Sequence, residues 1–334
     1  MPIKKKLFNA PVVLSFGSGA GKIISKIETP QSVYKIAVNS SHRDLQMIDT
    51  RVDETVCCGT GIGSGMDPTQ GREDLYLGLR KVFKYIDDAC YEAKATDVDI
   101  IPFISSLGHG FGSGSLTSVI GELQRRYKNA IILPFVITPF TWEGPEVIKR
   151  AYESLKEATD ISPCFVISNE EVGSVYKDIG ASYDSINNLI GDSISVILRS
   201  FSATEGVLQT IDRNDFSKFF IRDIATIRHM RIKSASNLTF DDIKENIGKR
   251  WLKIDAKMFK PFSKLNVTYI LDGKGPFSPK VLQELQENAT KKEYINKEYI
   301  KPLLIERKKV KYCDFVWMES GFKLKCDKNI YGEY

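Results

Sequence analysis

Gly108-His109-Gly110-Phe111-Gly112-Ser113-Gly114-Ser115 lies between an apolar run at 100–105 and an amphipathic stretch that begins near Leu116. Four alternate glycines cost backbone entropy, and an ordinary strand-to-helix turn does not use so many. They fit a cradle in which backbone N–H groups approach an anion such as phosphate, aided by the positive end of the following helix. On that reading a side chain at Gly112 blocks the anion and leaves the fold nearly intact. His109 reads as a loop residue, because no acid or nucleophile neighbours it in sequence.

On either side of this loop, apolar runs at 11–16, 34–38, 100–105, 131–137 and 164–168 alternate with helical periodicity at 22–27, 71–95, 115–127 and 144–159. The alternation predicts an α/β fold with a parallel, doubly wound Rossmann-like sheet, whose ligand site lies at the carboxyl ends of its strands. Two more glycine segments fall at such ends. Phe16-Gly17-Ser18-Gly19-Ala20-Gly21-Lys22 is not a P-loop, since Ile23 stands where a magnesium-binding Ser or Thr belongs. Nor is it a dinucleotide fingerprint: Lys22 replaces the third glycine, and the next strand ends in Asn39-Ser40-Ser41 without a ribose-binding acid. The other segment, Gly59-Thr60-Gly61-Ile62-Gly63-Ser64-Gly65-Met66-Asp67-Pro68, precedes the helix expected from 71.

Between 182 and 203, Ile186, Leu189, Ile190, Ile194, Ile197, Leu198 and Phe201 recur at helical spacing over a wide face, which predicts a long buried helix joining two halves. Beyond it, 221–252 reads as helical, and strands at 265–271, 301–305 and 314–318 with a helix at 279–288 suggest a smaller α/β domain. The last dozen residues lack a periodic pattern and read as a tail. A chain of 334 residues is long enough for two such domains.

Composition narrows the classes. With 27% charged residues and no apolar run near 18 residues, no membrane insertion is expected. Residues 1–8 carry three lysines but no apolar stretch of signal-peptide length, so they read as a flexible start. Six cysteines at irregular positions, without a CxxC pair, argue against a zinc site or disulfide framework and for a reducing cytoplasm. The net charge of +5 divides unevenly: residues 1–220 hold 23 Lys and Arg against 27 Asp and Glu, the remainder 24 against 15. A basic second half suits nucleic acid, an acidic membrane surface, the acidic half of another copy, or simply a solvated face.

The three glycine segments, with Asn39-Ser40-Ser41-His42-Arg43-Asp44-Leu45, Thr138-Pro139-Phe140-Thr141-Trp142-Glu143-Gly144 and Ile167-Ser168-Asn169-Glu170, resemble the tubulin/FtsZ GTPase superfamily in order and spacing over residues 10–220. The 108–115 loop is the most specific element, although Phe111 replaces the family's usual Thr. Tyr183-Asp184-Ser185-Ile186-Asn187 resembles the tubulin pattern that faces guanine, and its spacing of four puts Tyr183 and Asn187 on one helical face. Glu205-Gly206-Val207-Leu208-Gln209-Thr210-Ile211-Asp212-Arg213-Asn214-Asp215-Phe216 is similar to the family's synergy loop, one residue longer than in FtsZ and with Gln209 near the customary Asn. Asp212 also reads as the N-cap of the next helix.

The resemblance implies a polymerising cytoskeletal GTPase, a head-to-tail homopolymer that converts GTP to GDP at subunit junctions. Guanine would be contacted by Asn169, Tyr183 and Asn187, and ribose by Glu143. Phosphates would lie against Gly17, Ser18, Gly19, Ala20 and Gly21, against Gly61, Gly63 and Gly65, and against Gly108, Gly110, Phe111, Gly112, Ser113 and Gly114, with Asn39 also binding the nucleotide. Asp212 and Asp215 would be catalytic, and Mg2+ would be held mainly by phosphate oxygens and water. The implied domains are a GTP-binding domain over 1–181, a connecting helix over 182–204, the synergy loop and C-terminal domain over 205–320, and a tail over 321–334. The short chain looks like a prokaryotic or phage-type tubulin, while the 138–144 segment is closest to FtsZ. A Rossmann-type NAD(P) oxidoreductase and a non-polymerising nucleotide-binding regulator remain alternatives, since a doubly wound sheet serves all three. A nucleic acid or adaptor partner stays open.

Overall fold

The computed structural model describes residues 9–30, 33–94, 98–170, 179–221, 223–233, 259–308, 310 and 312–324. The apolar runs of the first half form β1 (Val12–Phe16), β2 (Tyr34–Asn39), β4 (Ile100–Ser106), β5 (Ile131–Thr138) and β6 (Cys164–Ser168), with a short β3 (Glu54–Cys57) that periodicity does not reveal. All pair in parallel, in the order β3-β2-β1-β4-β5-β6. β1 and β6 are covered on both faces and buried throughout, which is why their sequences are nearly continuous apolar runs. Helices α3 (Pro68–Glu92), α4 (Gly110–Arg126) and α5 (Pro145–Thr159) cover one face; α1 (Ser18–Ile24) packs on the other, and α2 (His42–Gln46) follows β2. Because the strands run parallel, the segments after Phe16, Asn39, Cys57, Ser106, Thr138 and Ser168 all emerge on one edge.

The long helix α6 (Ile179–Phe201) lies within the first apolar cluster, burying Ile186, Ile190, Ile194, Ile197, Leu198 and Phe201 as their spacing predicts. The second half contains β7 (Val207–Gln209), α7 (Arg213–Phe219), β8 (Ile224–Lys233), β9 (Phe259–Gly273), α8 (Pro279–Lys291), β10 (Ile295–Glu306) and β11 (Tyr312–Leu324). Its strands continue the sheet as β6-β8-β11-β9-β10-β7, now mixed in direction. Two expectations fail here. Isoleucines at 221, 224 and 227 imitate a helical stripe, yet β11 offers an antiparallel ladder from Tyr312↔Lys233 to Phe322↔Ile224, and that pairing overrides the local pattern. The rest of the expected helix, 234–252, lies outside the described residues. The expected tail begins late, because residues 321–324 complete β11 with Phe322 and Leu324 buried, while 325–334 lie outside the described residues. Among the described residues no helix is long and apolar enough to cross a membrane.

A buried charge cluster fastens the end of α6 to the second half. Asp314 accepts from Arg199 at 2.7 Å, Arg231 at 2.8 Å and His229 at 3.1 Å. Its register partner Asp272 accepts from Arg199 at 3.0 Å and Arg307 at 2.7 Å. Burial by itself raises the Asp314 carboxyl, but the hydrogen bonds and charge of His229 and Arg231 outweigh it and hold the group below its ordinary 3.8. Asp314→Ala, which among the described residues leaves Arg199 with Asp272 alone and Arg231 with only the more distant Asp192 at 3.8 Å, should cost about 1.5–3 kcal/mol in denaturant melts at neutral pH. Since the folded-state value is depressed, the stabilisation is complete above the ordinary value and lost as pH falls through the folded one. The stability gap between the natural chain and Asp314→Asn should therefore close on acidification; a gap that persists at the acid end would contradict this.

Candidate functional site

Two of the glycine segments are the first turns of helices rather than separate loops, while the third, 59–66, stays a loop ahead of α3. Helix α4 starts at Gly110, not near Leu116, and α1 starts at Ser18, not 22. The N–H groups of Gly110, Phe111 and Gly112 thus occupy the first turn of a 17-residue helix, where no intrahelical acceptor exists and the dipole favours an anion. A Cβ on Gly112 would overlap the Ser106 carbonyl oxygen, and one on Gly114 the Pro68 carbonyl oxygen. Gly112 is therefore a packing position, which corrects the expectation that a side chain there spares the fold. Phe111 sends its ring into the second apolar cluster at 5% exposure, leaving only its backbone for the cradle. Ser113 accepts from the Gly108 N–H at 2.8 Å, and Arg150 donates to the Gly108 carbonyl at 2.9 Å, so the approach to α4 is held from both sides.

The three segments do converge. Gly17, at φ +91°, backs onto Gly112, and a Cβ on it would lie 3.3 Å from the Gly112 nitrogen. The Gly21 N–H is already bound to the Gly17 carbonyl at 2.9 Å, and Ala20 and Gly21 are buried, so Ser18 and Gly19 are the members of that segment closest to its helix start. The Gly63 N–H donates to Ser40 O at 2.9 Å, and Gly61 O accepts from the His42 N–H at 2.8 Å, hanging the third segment on the turn after β2. Gly65 faces open space, where a Cβ would meet nothing within 4 Å. Asn39 donates to Ser18 Oγ at 3.2 Å and to Asp44 at 3.3 Å, and Ser18 donates to Asp44.

Beside this cradle, Glu143 accepts from the Phe140 N–H at 2.8 Å and from the Tyr183 hydroxyl at 3.2 Å, and pairs with His109 at 3.2 Å. Burial works to raise Glu143, but these three donors outweigh it and keep the carboxyl below its usual value. Burial, and then the charge of Glu143, push the Tyr183 hydroxyl up. Phe140, Trp142 and Tyr183 form an aromatic group, with Trp142 stacked on Phe140 at 5.3 Å and still 55% exposed. Asn187 is buried on the same helix, and Asn169 is half-buried just after β6, where Glu170 accepts from Thr141. Three residues of the site are not legible in the sequence as such. His109 meets its acid, Glu143, only through folding. Asp44 and Asp74 belong to none of the glycine segments, although Ser41-x-x-Asp44 has the spacing of a helix N-terminus.

Asp212 and Asp215 are not part of this cradle within one chain. Asp212 caps α7, accepting from the Asp215 N–H at 2.7 Å, and Asp215 lies 3.4 Å from the Lys301 ammonium. Helix α6 measures the separation: Tyr183 sits at the cradle, whereas Phe201, whose ring lies 5.2 Å from that of Phe216, sits at α7. Eighteen residues of helix separate those two rings' positions, or about 27 Å.

Residues 22–177 match the model of the Tubulin/FtsZ family, GTPase domain. Over these residues the chain is thus similar to tubulin/FtsZ-family GTPase domains. The tubulin-like protein CetZ of Methanothrix thermoacetophila is 26% identical over 203 residues, which cover 60% of this chain and 53% of the relative. The cell division protein FtsZ 1 of Pyrococcus horikoshii is 27% identical over 156 residues, covering 45% and 38%. The chain thus spans about half the length, or less, of these curated relatives. In fold it is similar to CetZ2 of Haloferax volcanii, solved as a GTPγS-bound protofilament, with a TM-score of 0.76, 18% identity and coverage of 96% and 95%. The glycine geometry predicts unequal mutants. Gly112→Val should cost at least about 3 kcal/mol in thermal or denaturant melts, through overlap with fixed backbone. Gly65→Ala, in open space, should cost only about 1–2 kcal/mol for its left-handed φ.

Proposed function

We propose that this chain binds GTP in the cradle and hydrolyses it where Asp212 and Asp215 of a second copy close over the γ-phosphate, so that catalysis requires head-to-tail assembly in the cytoplasm. The observation that carries this reading is the placement of cradle and acids at opposite ends of one buried helix. Exposed apolar side chains support it: Ile62, Met66 and Trp142 border the cradle, and Leu208 and Ile221 flank the acid helix. The protofilament form of CetZ2 supports the same arrangement.

The chain's own groups suit a guanine nucleotide. Asn169 and Asn187 offer amide donors and acceptors, Tyr183 offers a ring, and Glu143 offers an acceptor to a ribose hydroxyl. The N–H groups at the start of α4 suit phosphate oxygens. Asp44 with Ser18 forms an oxygen-only donor pair at the cradle, which fits a magnesium ion shared with the nucleotide. Magnesium, when bound, neutralises charge that develops on the phosphates. The incoming acids orient the attacking water and accept its proton as the bond to phosphorus forms and GDP leaves. An oxidoreductase is disfavoured, because β2 ends in Asn39 and not in a ribose-binding acid.

GTP should bind far more tightly than ATP in equilibrium titrations, with Asn187→Ala narrowing the gap, because an adenine edge leaves the amides unpaired. Equal affinities would overturn the base assignment. GTPase rate per subunit should rise steeply above a threshold protein concentration. Asp212→Ala and Asp215→Ala should keep GTP affinity yet slow turnover by about 10²-fold or more. A rate independent of concentration, or full activity in the double mutant, would overturn the shared site.

A further inference from the structure

We propose that Asp74 is a positioning residue for phosphate binding, which through Ser64 and Ser40 locks the 59–66 loop and Asn39 into the shape of the cradle before a nucleotide arrives. This rests on the GTP-binding cradle proposed above, with the phosphate contacts that the resemblance implies for Gly61, Gly63 and Gly65. Asp74 lies on α3, only 3% exposed, and among the described residues it has no cationic partner within ion-pair distance. A buried carboxylate without a counter-charge is costly unless hydrogen bonds compensate it. Ser64 Oγ donates to it at 2.7 Å and Gln70 Nε2 at 3.0 Å.

The carboxylate sets the direction of everything beyond it. An ionised carboxylate only accepts, so the single hydroxyl proton of Ser64 is committed to Asp74. Ser64 Oγ must then accept from Ser40 Oγ, 2.7 Å away. The Ser40 N–H donates to Asn39 Oδ1 at 2.9 Å, which turns the Asn39 NH2 group toward Ser18 and Asp44. One buried charge thereby orients side chains on α3, on the glycine loop and at the end of β2. The loop needs such a fixture, because Gly59, Gly61, Gly63 and Gly65 all have positive φ and a chain so rich in glycine loses much entropy when ordered. Gly59 lies directly against the Asp74 carboxylate, so the contact is tight as well as polar.

Ser64→Ala, Asp74→Ala and the double mutant test this, with GTP and guanosine as the two probes. Each variant should lose about tenfold or more in GTP affinity, the worth of a hydrogen bond to a charged group. Guanosine affinity should stay unchanged, since the base and ribose contacts lie elsewhere. The double mutant should be no weaker than the worse single mutant, because both act through one chain of bonds. Ser64→Ala carries the test if Asp74→Ala does not fold. A fall in melting temperature with an unchanged ratio of GTP to guanosine affinity would show a purely structural bond and overturn the proposal. Gly63→Val separates the positioning role from the phosphate role of the loop. GTP affinity lost in Gly63→Val but kept in Ser64→Ala and Asp74→Ala overturns the positioning role alone; affinity kept in all three overturns the loop's phosphate role as well.

Discussion

Isoleucines at 186, 190, 194 and 197 give α6 an apolar face too wide to be turned toward water, so the helix must run through the first apolar cluster, and the other elements are arranged around it. A helix of 23 residues held this way acts as a spacer of fixed length. Its first turns bring Tyr183 to Glu143, and its last bring Phe201 to the aromatic group of Phe216 and Phe219. Cradle and acid helix are thus kept apart by the same packing that stabilises the fold.

Electrostatics secures the far end of that spacer. Arg199 is shared by Asp272 and Asp314, which face each other across β9 and β11, while Arg231, Arg307 and His229 complete the set. Removing either carboxylate leaves Arg199 with a single partner among the described residues, and the helix end loses half of its lateral anchor. Both aspartates therefore hold three different elements in one relation, which apolar packing, being non-directional, does less specifically.

At the near end, the cradle depends on backbone approaching backbone. Gly112 lies against the carbonyl of Ser106 and Gly114 against that of Pro68, so α4 sits closer to β4 and α3 than any residue with a Cβ allows. That closeness brings the first turn of α4 beside Gly17 and Ser64. Phe111 contributes a ring to the core beneath, so only its backbone faces the start of α4.

The alternating strands, the wide apolar face of α6, the segments gathered on one sheet edge and the resemblance of residues 22–177 to tubulin/FtsZ-family domains are all legible in the amino-acid sequence. They follow from local period and from glycine spacing, both short-range properties of the chain. Where the helices begin is not legible, because a run of glycines reads equally as loop or as a first turn until neighbouring backbone decides how close it lies. The strand at Ile224–Lys233 is hidden for the converse reason, since its ladder partner lies far along the chain in β11. Contacts such as His109 with Glu143, or Ser64 with Asp74, leave no periodic trace at all. Folding alone creates them, because hydrogen bonds depend on distance and direction between groups that the chain brings together after its core has formed.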